Sequence, residues 1–220
     1  MQEEASKTSN KLNIPTAIVL AGAIVGAALF FQKTGDDGAV KDQNNLSVIS
    51  SVGDTDFIRG DETASITLIE YADFSCPYCA HHHETLKKLV ENNSELRWVY
   101  RHLPIFNMDA AAASECVGQI AGNDAFWEFS DILYENQSAL DKDFYRQTAL
   151  GMGVSDTEYD TCFSSQLIRS KIDADFDRVR ILLGFKSTPH NVIVDKQGRT
   201  FSFSGAISEE DLQSIIEGLL

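Results

Sequence analysis

Apolar residues cluster in a few short runs and recur at helical spacing through most of the remaining chain. Ile66-Thr67-Leu68-Ile69-Glu70-Tyr71 is short and β-rich enough for a buried strand, and Leu96-Arg97-Trp98-Val99-Tyr100-Arg101 alternates before stopping near Pro104. Between them, residues 77 to about 92 read as a helix, and a shorter strand fits residues 56–59. From 109 to 184 the pattern is helical throughout, with segments expected at 110–121, 125–136, 142–151 and roughly 157–183. Asp124, Ser138 or Asp141, and Ser155 are suitable N-caps for them. Strand character returns at Asn191-Val192-Ile193-Val194-Asp195. The turn Lys196-Gln197-Gly198-Arg199 then leads to an antiparallel partner at 200–204. Ser208-Glu209-Glu210-Asp211 opens a last amphipathic helix, its acids in the first turn where the helix dipole favours them. The predicted class is therefore α/β, with a helical insertion at about 108–184.

One segment stands apart. Residues 14 to 31 carry no charge, and as a helix they would extend roughly 27 Å, about the thickness of a bilayer core. No small-x-small cleavage site follows the run, which ends in Phe30-Phe31-Gln32-Lys33, so an uncleaved anchor is expected rather than a signal peptide. Lys7 and Lys11 precede the span, while Asp36 and Asp37 soon follow it, which orients the N-terminus to the cytoplasm. The expected organisation is a cytoplasmic tail at 1–11, a single transmembrane helix at 12–32, a polar linker at 33–53 and an extracytoplasmic domain at 54–220. Four cysteines suit that oxidising side of the membrane. Eighteen basic against 33 acidic residues, a net charge of −15, leave no patch for nucleic acid; the acidity keeps the surface solvated.

The chemistry concentrates at Cys76-Pro77-Tyr78-Cys79, where a strand gives way to a helix. Cys76 falls at the N-cap, and the unpaired N–H groups and positive dipole end there favour a thiolate. Pro77 suits the first helical position. Cys79 lies one turn further in, able to attack a mixed disulfide on Cys76. Half a zinc site or two structural thiols remain possible on this motif alone.

Three motifs in order narrow the choice. The segment Leu68-Ile69-Glu70-Tyr71-Ala72-Asp73-Phe74-Ser75-Cys76-Pro77-Tyr78-Cys79, the strand end Val99-Tyr100-Arg101-His102-Leu103-Pro104 and the triplet Ser187-Thr188-Pro189 resemble the DsbA-like branch of the thioredoxin superfamily, the extracytoplasmic thiol:disulfide oxidoreductases. The resemblance runs from about residue 56 to the end. Glutaredoxins share Cys-Pro-Tyr-Cys, but their Thr-Pro follows after some fifty residues, whereas 110 positions separate Cys79 from Pro189 here. The resemblance implies a thioredoxin fold with an inserted helical domain, a cis Pro189 beside the reactive sulfur, and Thr188 as the residue whose backbone pairs with a substrate peptide. Pro77 and Tyr78 would complete the substrate-binding surface. Ser187 and His190 stand where glycine and a small residue are common. Glu70, by the same resemblance, is the buried acid that manages the proton of Cys79, its pKa raised by burial. Cys116 and Cys162 look like the second, structural disulfide that members of this family can carry in the helical domain.

His81, His82 and His83 read as solvated helix residues. Cys76, Cys79 and His83 could also share one helical face as a copper or zinc set. His190 reads as a partly exposed strand-start residue, with a role near Cys76 as its alternative. Phe126, Trp127 and Phe129 read as core. The expected activity is oxidation of cysteine pairs in exported proteins by a monomer without cofactor or metal, reoxidised by a membrane redox partner. A reductase or isomerase and a metal-binding module are the competing classes.

Overall fold

The computed structural model describes residues 51–220. The expected tail and anchor, and nearly all of the linker, lie outside the described residues. Among those described, no helix is long and apolar enough to cross a membrane.

Five strands form one mixed sheet: β1 (Phe57–Gly60), β2 (Ile66–Ala72), β3 (Leu96–His102), β4 (His190–Val194) and β5 (Thr200–Ser204), in the order β1-β3-β2-β4-β5. β2 and β3 are parallel, joined by α1 (Pro77–Asn92); β4 is antiparallel to β2, and β5 to β4. β2 is buried along its whole length, which explains why its apolar residues point to both faces, interrupted by Thr67 and Glu70, rather than alternating with polar ones. The period of two divides its side chains between two cores. Ile66 and Leu68 join Leu86 and Leu89 of α1 on one face, whereas Ile69 and Tyr71 join Val99 and Val192 on the other.

The insertion comprises α2 (Met108–Ala121), α3 (Asn123–Glu135), a 3₁₀ turn (Gln137–Ala139), α4 (Lys142–Gly151), α5 (Asp156–Phe163) and α6 (Gln166–Leu183). Phe126, Trp127 and Phe129 of α3 are buried in the α1-side core. Val179 of α6 and the following Phe185 pack against the opposite face of the sheet. The terminal helix α7 (Glu209–Leu219) adds Leu212 and Ile216 to the α1-side core.

Two expected element boundaries need correction. The single helix at 157–183 is two helices. Ser164 caps the end of α5 by donating its hydroxyl to the Asp160 carbonyl, and Ser165 caps α6 by accepting from the Leu167 N–H. Two adjacent serines thus supply a stop and a start. Cys162 consequently lies near the end of α5, joined to Cys116 of α2 by a disulfide. Asp124 sits in the first turn of α3 rather than at its cap, which is Gly122. Asp141 does cap α4, accepting from the Phe144 N–H.

Candidate active site

Cys76 is the N-cap of α1, with Pro77 at the first helical position and an extended backbone at φ −82°, ψ 120°. The sulfur sits where the strand's pleat ends and the helix's first free N–H groups begin. Both thiols are free and buried. The Thr188–Pro189 peptide is cis, and the Cys76 thiol donates to the Thr188 carbonyl oxygen at 3.3 Å. Residues 112 positions apart in sequence therefore meet at the reactive sulfur.

The two sulfurs are driven in opposite directions. The Cys76 thiol is lowered to about 5, chiefly by a hydrogen bond from Cys79; burial opposes this, and Thr188 with the backbone N–H groups of Cys79 and Tyr78 adds to the lowering. The Cys79 thiol is pushed far up, first by burial, then by its bond to Cys76 and by the neighbouring Glu70 carboxylate. Glu70 is fully buried on the same sheet face, and neither of its oxygens makes a regular hydrogen bond. Burial pushes its pKa up to about 8; the Trp98 indole pulls back in part, and negative charge on Cys76 raises it again. Tyr100 and Asn191 are its cross-strand neighbours on β3 and β4.

The loop before Cys76 is gripped by the segment after β3 and by the insertion. One Asp73 carboxylate accepts from the N–H groups of Ser75 (2.7 Å), Phe106 (2.5 Å) and Asn107 (3.2 Å). The Asn107 amide donates to the Ser75 hydroxyl and the Tyr145 hydroxyl, both at 2.9 Å. From the 3₁₀ turn, the Gln137 amide donates to the Phe74 carbonyl at 2.7 Å and the Cys76 carbonyl at 2.9 Å. This grip holds Phe106 beside the active site with 69% of its surface exposed, close to the 68% of Tyr78. Gln137, Asn107 and Asp73 escaped the sequence reading. Asp73 and Asn107 each left a signal, as short polar residues just before a helix start.

Three histidine readings change. His81 is exposed, but His82 and His83 are completely buried. They lie three and four residues after Cys79, on the stripe that continues to Leu86. His83 turns to Asp131 of α3, its Nε2 at 2.6 Å, rather than joining Cys76 and Cys79. No metal-competent group of three or more His, Cys, Asp or Glu side chains stands among the described residues. Asp131 also receives Arg59 and Lys87. Burial alone would raise its carboxyl, but these three partners hold it well below the usual range. His190 is buried too; its register opposite Tyr71 sends it to the other face of the sheet, where it stacks on Phe185 and bonds Ser204 at 2.9 Å. A direct role for it at Cys76 is thereby excluded.

Comparison with known proteins agrees with this geometry. A family model described as thioredoxin matches residues 53–218. A Rickettsia felis protein named for protein-disulfide oxidoreductase activity is 27% identical over 177 residues, 76% of this chain and 63% of that protein. A Na(+)/H(+) antiporter of Salinispora tropica is 38% identical over 89 residues, 40% of this chain but only 14% of the antiporter. Among solved structures, Pseudomonas aeruginosa DsbA2 is 29% identical with a TM-score of 0.64, covering 77% of this chain and 97% of its own. Wolbachia pipientis alpha-DsbA1 shares the fold at a TM-score of 0.69 and 18% identity, covering 79% and 94%.

Proposed function

The chain belongs to the thioredoxin family, and from that premise we propose that it is a thiol:disulfide oxidoreductase that forms disulfides in exported proteins. The observation that carries this reading is the asymmetry of the two sulfurs, Cys76 held low at about 5 and Cys79 pushed up. A stabilised Cys76 thiolate stabilises the reduced enzyme, and a stabilised reduced form makes a strong oxidant.

A substrate thiolate attacks Sγ of Cys76 in the oxidised enzyme, and the Cys76–Cys79 bond breaks. Its electron pair leaves on the Cys79 sulfur, whose high proton affinity calls for a proton at that moment. Glu70, protonated up to about pH 8, supplies that proton as the general acid. A second substrate thiolate then attacks the substrate's own sulfur in the mixed disulfide and expels Cys76 as the thiolate. Two electrons pass from the substrate pair to the enzyme.

The Thr188 backbone, held beside the reactive sulfur by the turn at Pro189, pairs with the substrate chain. Tyr78 and Pro77, with Phe106, offer apolar ground to the residues flanking a substrate cysteine. The Cys116–Cys162 disulfide braces the insertion and suits an oxidising compartment. Together with the uncharged run at residues 14–31, it supports a domain tethered outside the cell membrane. In this reading the enzyme is a monomer and a membrane redox partner reoxidises it.

Equilibration against glutathione tests the direction: a potential near about −120 mV marks an oxidant, and one near about −270 mV a reductant. Cys76→Ser is expected to abolish exchange, while Cys79→Ser accumulates mixed disulfides. An active Cys76→Ser enzyme would overturn the assignment.

A further inference from the structure

His82 and Asn191 form a polar pair that the exchange chemistry leaves unused. Both are completely buried, one on α1 and the other on β4. His82 Nε2 lies 3.0 Å from Asn191 Oδ1. The Asn191 amide nitrogen donates to the Gly205 carbonyl at 3.4 Å, which orients Oδ1 toward the imidazole. Nε2–H is therefore the donor, and Nδ1 is left without a partner in the core. Burial holds the ring neutral, lowering its pKa to about 4.

Such a pair is expensive where two apolar side chains would pack freely. A hydrogen bond adds what apolar contact lacks, namely direction, and so fixes how far one element has slid along another. The spacing fits that use. Cys76 meets Thr188, and six residues further on His82 meets Asn191, the second residue of β4 and three positions after Thr188. Six helical residues advance about 9 Å, and the three steps from Thr188 through the cis peptide into β4 reach at most about 10 Å. The two contacts are thus successive rungs between α1 and the chain leaving Pro189.

We propose that His82 and Asn191 are positioning residues, the second rung that keeps the Cys76 sulfur in register with the Thr188 carbonyl where a substrate peptide docks. The proposal rests on the exchange reading above and names the residues that align its nucleophile with its peptide edge.

The test uses the full chain in four variants: His82→Phe and Asn191→Leu, which remove the bond but keep bulk, the two combined, and His82→Gln, whose amide can still donate to Oδ1. KM and kcat for oxidation of a synthetic dithiol peptide, with glutathione disulfide as the reoxidant, are measured with the pH midpoint of Cys76 alkylation and the thermal midpoint. Loss of one hydrogen bond corresponds to a factor of about 3–10. His82→Phe and Asn191→Leu should each raise KM by about that factor and shift the alkylation midpoint upward. The double variant should be no worse than either single one, and His82→Gln should stay near the native values. Lower thermal midpoints with unchanged KM and alkylation would make the pair a structural brace and overturn the proposal. If His82→Phe does not fold, Asn191→Leu decides alone by the same readouts. A native protein inert toward the dithiol peptide would instead overturn the exchange reading itself.

Discussion

Replacing Glu70 by glutamine should give a stability difference from the native protein that grows in the variant's favour as the pH rises. The carboxyl's folded pKa of about 8 lies above its ordinary 4.5, and burial is the largest cause. A raised carboxyl favours folding only while it is protonated. Its contribution is fully present below pH 4.5, declines from there, and is lost as the pH rises through about 8. At about 1.36 kcal/mol per unit, the penalty reaches roughly 3 kcal/mol at pH 7 and about 5 kcal/mol once Glu70 is ionised. The assay is urea unfolding of native and Glu70→Gln protein from pH 4 to pH 9, both disulfides kept oxidised so that no thiol titrates. Burial, the largest cause, persists in that form while the charge on Cys76 is absent, so these magnitudes are upper figures. Burying the amide shifts the variant's whole curve by a constant, so the readout is the growing gap between the two curves. Parallel curves from pH 4.5 to 8 would refute the argument and, with it, Glu70 as a proton donor near neutrality.

Removing the Cys79 thiol takes away the largest cause of the low Cys76 value. A hydrogen bond to a charged group contributes about 1.5–3 kcal/mol, so Cys79→Ala should move the Cys76 alkylation midpoint up from about 5 by roughly one to two pH units; an unmoved midpoint would assign the thiolate to the helix start instead. The Cys116–Cys162 bond closes a sequence separation of 46 residues, which the chain-entropy model values at about 4 kcal/mol. Replacing both cysteines by alanine should lower the urea midpoint accordingly while exchange activity persists at permissive temperature; a folded but inactive variant would contradict a purely structural bond.

The sheet was legible because its signals are local. β2 and β3 announce themselves by composition, and the Cys-Pro-Tyr-Cys turn by its proline and its position after a strand. What stayed hidden depends on partners far along the chain. His82 and His83 follow one another in a polar-looking stretch, yet they continue the buried stripe from Cys79 to Leu86. Their burial was readable by counting three and four residues, but their partners Asn191 and Asp131 were not. His190 misled for the opposite reason: assigning it to a face requires the β2–β4 register, which no single strand reveals. Gln137 had no signal, because a glutamine in a turn looks the same whether it faces water or two carbonyls.

The Gln137 contact bears on any attempt to borrow this chemistry. Its single amide spans the carbonyls on either side of Ser75, so the catalytic bend is completed by a residue from a separate helical layer. Grafting the strand, bend and helix onto a bare thioredoxin scaffold would transplant the two sulfurs without the hand that steadies them. Portability ends where that amide is supplied.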